Sequence, residues 1–138
     1  MHLLDPKEIK EFPVFRELSP KQWAEVYPLL HHIWTLEGEE LVREGERAHT
    51  FFIILRGHFM VHYSDERAFT LWQRGEIIGW SAVIRPFRYT ANVTSLTEGE
   101  MLSIAGIQFL ELLQANASLG DKLVKKINED IQHRPLIT

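Results

Sequence analysis

The sequence predicts a mainly β fold flanked by helices, and three observations carry that expectation. From Ile33 to about Ile104 the chain reads as short β-rich runs punctuated by Gly38, Gly45, Gly57, Gly75 and Gly99. Before this stretch a capped helix opens at Ser19. After it, apolar residues return at helical spacing. The length, 138 residues with 45% hydrophobic composition, fits one domain over 1–138 that can bury a core without disulfide or metal staples.

Composition narrows the chemistry. There is no cysteine, which excludes Cys-liganded zinc, iron–sulfur clusters and thiol nucleophiles and fits a reducing compartment, so the cytoplasm is expected. Lys and Arg number 15 against 19 Asp and Glu and are dispersed, so no direct nucleic-acid partner is expected. The N-terminus lacks the basic and apolar regions of a secretory signal, and no apolar run is long enough to span a membrane.

Ser19 is placed to cap a helix, with Pro20 at its first position and Gln22 completing a capping box. Trp23, Val26, Tyr27 and Leu30 follow on one face, and Leu18 is placed to staple onto Trp23. The end is expected near His31-His32, with Pro28 bending or shortening the last turn. Phe51-Phe52-Ile53-Ile54-Leu55 reads as a strand covered on both sides, turning at Arg56-Gly57 to pair as a hairpin with Phe59 to Tyr63. Ser64 to Arg67 makes the next turn. Further strands are expected at Ala68 to Gln73, Tyr89 to Leu96 and Met101 to Ile104. At least seven short strands suggest a sandwich, jelly roll or barrel, closed to protect its edges.

Helices are expected over about 106–114 and 118–132, the second capped by Ser118. Leu119, Leu123, Ile127 and Ile131 recur every four residues on this last helix. Such a narrow stripe either packs on its own body or forms the seam of a homodimer.

Four strings, Leu36-Glu37-Gly38-Glu39, Val42 to Glu46, Phe52 to Gly57 and Arg74 to Gly79, occur in the order and spacing of the turn signatures of one family. With the flanking helices, the stretch from about Phe12 to Ile131 resembles the cyclic-nucleotide-binding domain of the catabolite activator protein family. The resemblance implies an eight-stranded β-roll, a double-stranded β-helix of cupin-like jelly-roll type, with an N-terminal helix and two C-terminal helices. It implies a regulatory protein of signal transduction. It also places the ligand at Gly79 to Ala91, where a helix N-terminus meets the phosphate, an Arg pairs with it and a Glu accepts from the ribose hydroxyl.

Gly79, Ala82, Thr90 and Ala91 match that pattern. Trp80 stands where the Glu belongs and Tyr89 where the Arg belongs. The expected ligand-binding set is therefore Gly79, Trp80, Ser81, Ala82, Arg88, Tyr89, Thr90 and Ala91, with a ligand other than cyclic AMP or GMP and of unknown identity. Two alternatives stand beside this reading: a true cyclic-nucleotide receptor using Arg88 or Arg85, and a ligand-free scaffold for dimerisation or docking. Trp80, Phe87 and Tyr89 either line a pocket for a flat ligand or simply fill it.

No metal is expected. His58 and His62 stand about 13 Å apart by strand rise, His31-His32 is an adjacent pair pointing different ways, and no residue suggests a haem ligand. No Gly-x-Ser-x-Gly elbow or phosphate loop is present, so no catalytic residue and no enzyme are expected. Relatives that regulate transcription carry a helix-turn-helix after the last helix, whereas Gln132 to Thr138 is too short for a recognition helix. The output is expected to pass through a homodimer and a downstream protein partner.

Overall fold

The computed structural model describes residues 5–132. In chain order the elements are α1 (Pro6–Lys10), α2 (Pro20–Val26), a 3-10 turn at Tyr27–Leu29, β1 (His31–Thr35), β2 (Glu40–Val42), β3 (Thr50–Arg56), β4 (Phe59–His62), β5 (Ala68–Leu71) and β6 (Ile77–Ile78). There follow a 3-10 turn at Trp80–Val83, β7 (Asn92–Ser95), β8 (Gly99–Ala105), α3 (Gly106–Ala115) and α4 (Ala117–Gln132). The strands form two antiparallel four-stranded sheets, ordered β1-β8-β3-β6 and β2-β7-β4-β5. The two sheets do not close into a barrel, so the closure expected of the edges is not how this roll is built.

Strand β3 explains why a run of five apolar residues was needed. Phe51, Ile53 and Leu55 pack with Phe109, Leu119, Leu123 and Ile127 of α3 and α4, while Phe52 and Ile54 pack with Phe59, Val61 and Val93 of the second sheet. The first sheet is thus a middle layer between helices and the second sheet. Neighbouring β8 follows the same rule, with Leu102 and Ile104 turned to the helices and Met101 to the other sheet. Each such fully buried side chain contributes about 1.5–3 kcal/mol.

The expected hairpin is not formed. β3 pairs with β8 and β6, and β4 pairs with β5 and β7, so Arg56-Gly57 carries the chain from one sheet to the other. The hairpin that does form is β4 with β5, across the Ser64 to Arg67 turn. The expected strand at Tyr89 to Leu96 is shortened to Asn92–Ser95.

Helix α2 begins as expected: Ser19 accepts from Gln22 N–H at 3.1 Å and Gln22 accepts from Ser19 N–H at 2.9 Å. Pro28 converts its end to the 3-10 turn, and His31-His32 belongs to β1 rather than to the helix. There His32 reaches Glu100 at 2.9 Å and stacks on Trp34. At the other end of the chain, Asn116 and not Ser118 caps α4. Its side chain accepts from Leu119 N–H at 3.1 Å and its carbonyl from Gly120 N–H at 2.9 Å.

Leu119, Leu123 and Ile127 are fully buried in this single chain, among Val26, Phe51 and Phe109. Of the two roles open to the stripe, it packs on its own body, and in that packing these three side chains offer no seam to a second chain. The side chain of Ile131 lies outside those described.

Candidate functional site

The segment from Gly79 to Ala91 leaves β6 and returns to β7 at one end of the roll. Gly79 adopts φ +80°, where only glycine is unstrained, and a Cβ there would lie 3.2 Å from Thr50 O and 3.3 Å from the Tyr89 ring. It opens the 3-10 turn, closed by Ala82 N–H donating to Gly79 O at 3.1 Å. The Arg85-Pro86 bond is cis, and Phe87 adopts φ +59°.

The return path is tied to the loop before β3. Ala48 N–H donates to Phe87 O at 2.7 Å, Tyr89 N–H to Glu46 O at 3.0 Å, and Gly45 N–H to Tyr89 O at 2.8 Å. Arg88 lies opposite Arg47 in a bridge and donates from Nη1 to Gly45 O at 3.0 Å. Tyr89, half-buried, donates its hydroxyl to Thr50 O at 2.6 Å. Burial pushes its phenol pKa up, against the backbone hydrogen bonds around Thr50 and His49.

Trp80 turns the other way. Its indole is buried edge-on against Phe51, 5.3 Å between ring centroids, and Phe109, 5.9 Å. Next to it Ala82 is pressed on the start of α3, where a Cβ on Gly106 would lie 2.5 Å from Ala82 O. Gly106 N–H in turn donates to His49 O at 2.8 Å. The loop at Gly45 to Thr50, the Gly79 to Ala91 segment and α3 therefore meet as one unit.

The expected site residues separate by these contacts. Gly79 and Tyr89 come together at Thr50, whereas Trp80 and Ala82 face the helical layer. Ser81 is half-buried, Ala91 is buried beneath the second sheet, and Arg88 and Thr90 are exposed. Sequence reasoning missed Thr50 and the Gly45 to Ala48 loop. They act through backbone groups, which carry no side-chain signature. Arg47, Arg85 and Arg88 are exposed, and among the described residues no carboxylate lies within ion-pair distance of them. Among those residues no group of three or more His, Cys, Asp or Glu could hold a metal. No helix among them is long and apolar enough to cross a membrane.

A two-sheet roll with a 3-10 turn and loop between β6 and β7 and two helices after β8 defines the class of fold. Residues 34–116 match the family model described as the cyclic nucleotide-binding domain, and the chain belongs to that family. No curated protein sequence matches the chain.

Solved structures share the fold. A Geobacter metallireducens protein named for cyclic nucleotide binding has a TM-score of 0.86 at 20% identity, the match covering 96% of this chain and 98% of that one. The sensor domain of the transcriptional regulator DNR from Pseudomonas aeruginosa has a TM-score of 0.75 at 20% identity, covering 97% and 98%. The catabolite activator protein of Thermus thermophilus has a TM-score of 0.70 at 14% identity, covering 87% of this chain and 58% of that one.

Proposed function

We propose that this chain is a non-enzymatic regulatory module of the cyclic nucleotide-binding fold that does not take cyclic AMP or cyclic GMP. The observation that carries the reading is the Tyr89 hydroxyl donating to Thr50 O at 2.6 Å. At the position where the family places a guanidinium, the side chain is neutral and already committed to a backbone carbonyl. A phosphodiester arriving there loses a charge-assisted contact worth about 1.5–3 kcal/mol, or roughly ten- to a hundredfold in affinity.

The burial of Trp80 and half-burial of Tyr89 support a module whose segment is filled from within and which acts as a docking scaffold. Any ligand it does take at Gly79 to Ala91 would bias α3 and α4 through the Trp80–Phe109 and Ala82–Gly106 contacts. The output then passes to another protein. With no cysteine to protect, the cytoplasm is the compartment we assign.

A second reading, a receptor that holds the phosphate with Arg88 or Arg85, is favoured by the exposure of both guanidinium groups and their lack of carboxylate partners among the described residues. Calorimetric titration with cyclic AMP and cyclic GMP separates the two. The first reading expects no saturable heat at micromolar nucleotide. Micromolar binding abolished by Arg88→Ala or Arg85→Ala overturns it in favour of the second.

A further inference from the structure

Ser118, Lys122 and Lys126 recur every four positions along α4, each one place before a member of the buried stripe Leu119, Leu123 and Ile127. At this spacing the polar row runs alongside the aliphatic one on the helix surface. The aliphatic row enters the core, and the polar row meets the start of α2. Lys122 Nζ donates to Gln22 Oε1 at 2.9 Å and to Glu17 O at 3.4 Å. Lys126 Nζ pairs with the Glu17 carboxylate at 3.3 Å, and Gln22 Nε2 donates to Ser118 Oγ at 3.5 Å.

Two of these contacts fall on side chains that already cap a helix. Gln22 Oε1 accepts from Ser19 N–H at 2.9 Å as half of the α2 capping box, so one oxygen takes a donor from its own helix and a donor from α4. In the reverse direction Asn116, whose Oδ1 caps α4 at Leu119 N–H, donates from Nδ2 to Glu25 Oε2 of α2 at 3.1 Å. Helix α2 has only seven residues, fewer than the roughly 12–15 at which a helix is even marginally stable by itself in water. Its order therefore rests on its cap and on the burial of Val26 in the core it shares with Leu119, Leu123 and Ile127. Helix α4 contributes to both.

We propose that α2 and α4 form a cap-coupled latch, in which α4 cannot lift from the body without uncapping α2, and α2 loses its helical order when α4 lifts. Movement of the last helix is thereby converted into an order-to-disorder change in α2. Opening bares Leu18 and Val26, both buried while the latch is closed, and frees Trp23 from the Phe15 ring, 5.2 Å away between centroids. The latch goes beyond the reading of the Gly79 to Ala91 segment, because it needs no ligand there and responds to whatever displaces α4.

The test is amide hydrogen exchange on the whole chain, followed residue by residue by NMR at Ala24 to Tyr27 in and just after α2 and at Leu123 to Ile127 in α4. The two groups are expected to exchange at one common rate, faster than Ile53 and Leu102 in the core strands, which wait for global unfolding. Ser19→Ala weakens only the α2 cap. Lys122→Met keeps the aliphatic stem and removes the ammonium, while Gln22 Oε1 keeps its Ser19 donor. Each is expected to speed both groups together by roughly two- to tenfold, the scale of one hydrogen bond. Lys125 is exposed and has no hydrogen bond or ion pair among the described residues, so Lys125→Ala is expected to leave both rates at the wild-type value. Separate rates for the two helices, with Ser19→Ala moving α2 alone and Lys122→Met moving α4 alone, overturn the proposal. So does exchange of both helices only at the rate of Ile53 and Leu102, since no latch then opens apart from the fold. No nucleotide enters this test, so it fails independently of the reading at Tyr89.

Discussion

The hydroxyl of Tyr89 donates to the carbonyl oxygen of Thr50 across 2.6 Å, joining the segment between β6 and β7 to the first residue of β3. This bond closes the end of the roll with an uncharged pair. Tyr89→Phe removes it and leaves the Thr50 carbonyl short of a donor in a half-buried place, at a cost of about 0.5–1.5 kcal/mol in urea unfolding. Because burial raises the phenol pKa above its ordinary 10.0, the folded chain holds that proton longer than the unfolded one. The resulting stability is fully present below pH 10 and lost as pH rises through the folded value. Ultraviolet titration is expected to show a late phenol ionisation from Tyr89, and that step is expected to vanish in Tyr89→Phe.

Trp80 anchors the same segment to the helical layer through Phe51 and Phe109. Trp80→Ala opens a cavity among those rings and is expected to cost about 3–5 kcal/mol, read as a fall in the denaturation midpoint. A wild-type midpoint in this variant would mean that the indole is not part of the core.

Leu123 sits at the centre of the buried stripe. Leu123→Lys places an ammonium where no water reaches, so its cost is expected to exceed the roughly 2–5 kcal/mol of a buried Leu→Ala change. Denaturation in urea and sedimentation together discriminate: loss of stability is expected, whereas an intact, equally stable chain with only a lowered mass would return the stripe to a subunit seam.

Glu100 is buried between Arg56 and His32, the latter at 2.9 Å. Burial pushes its carboxyl up, but the hydrogen bonds from Arg56 and His32 outweigh that and leave it below the ordinary 4.5. The unfolded chain then binds more protons in this window, so the stabilisation is present above pH 4.5 and lost as pH falls through the folded value. Glu100→Gln is expected to lower stability at neutral pH and to flatten the acid limb of the profile. An acid limb of unchanged slope would show that Glu100 does not carry it.

How far the sequence reached depends on whether a feature is local. The Ser19–Gln22 box and the doubly covered run at Phe51 to Leu55 are stated by neighbouring residues alone, and both form. The turn at Arg56-Gly57 is local too, but two residues between apolar runs serve a hairpin and an arch between sheets equally well. Only the partners of β3 and β4 decide. The stripe on α4 has the same ambiguity, because an aliphatic face reads alike whether its own body or a second copy covers it. Asn116 outcompeted Ser118 as cap because α3 ends at Ala115 and α4 starts at Ala117, leaving one residue to serve both. At the site, the replacements at positions 80 and 89 were visible in the sequence. Their opposite directions, Trp80 to the helices and Tyr89 to Thr50, were not, since Thr50 takes part through its backbone.

The most direct check is an amide-resolved NMR titration of the chain with millimolar cyclic AMP, followed at Gly79, Ser81, Ala82, Tyr89 and Thr90. With the segment closed by Tyr89 and Thr50, these resonances are expected to stay in place. Saturable shifts centred on the same residues at micromolar nucleotide would show that the segment still receives a cyclic phosphate.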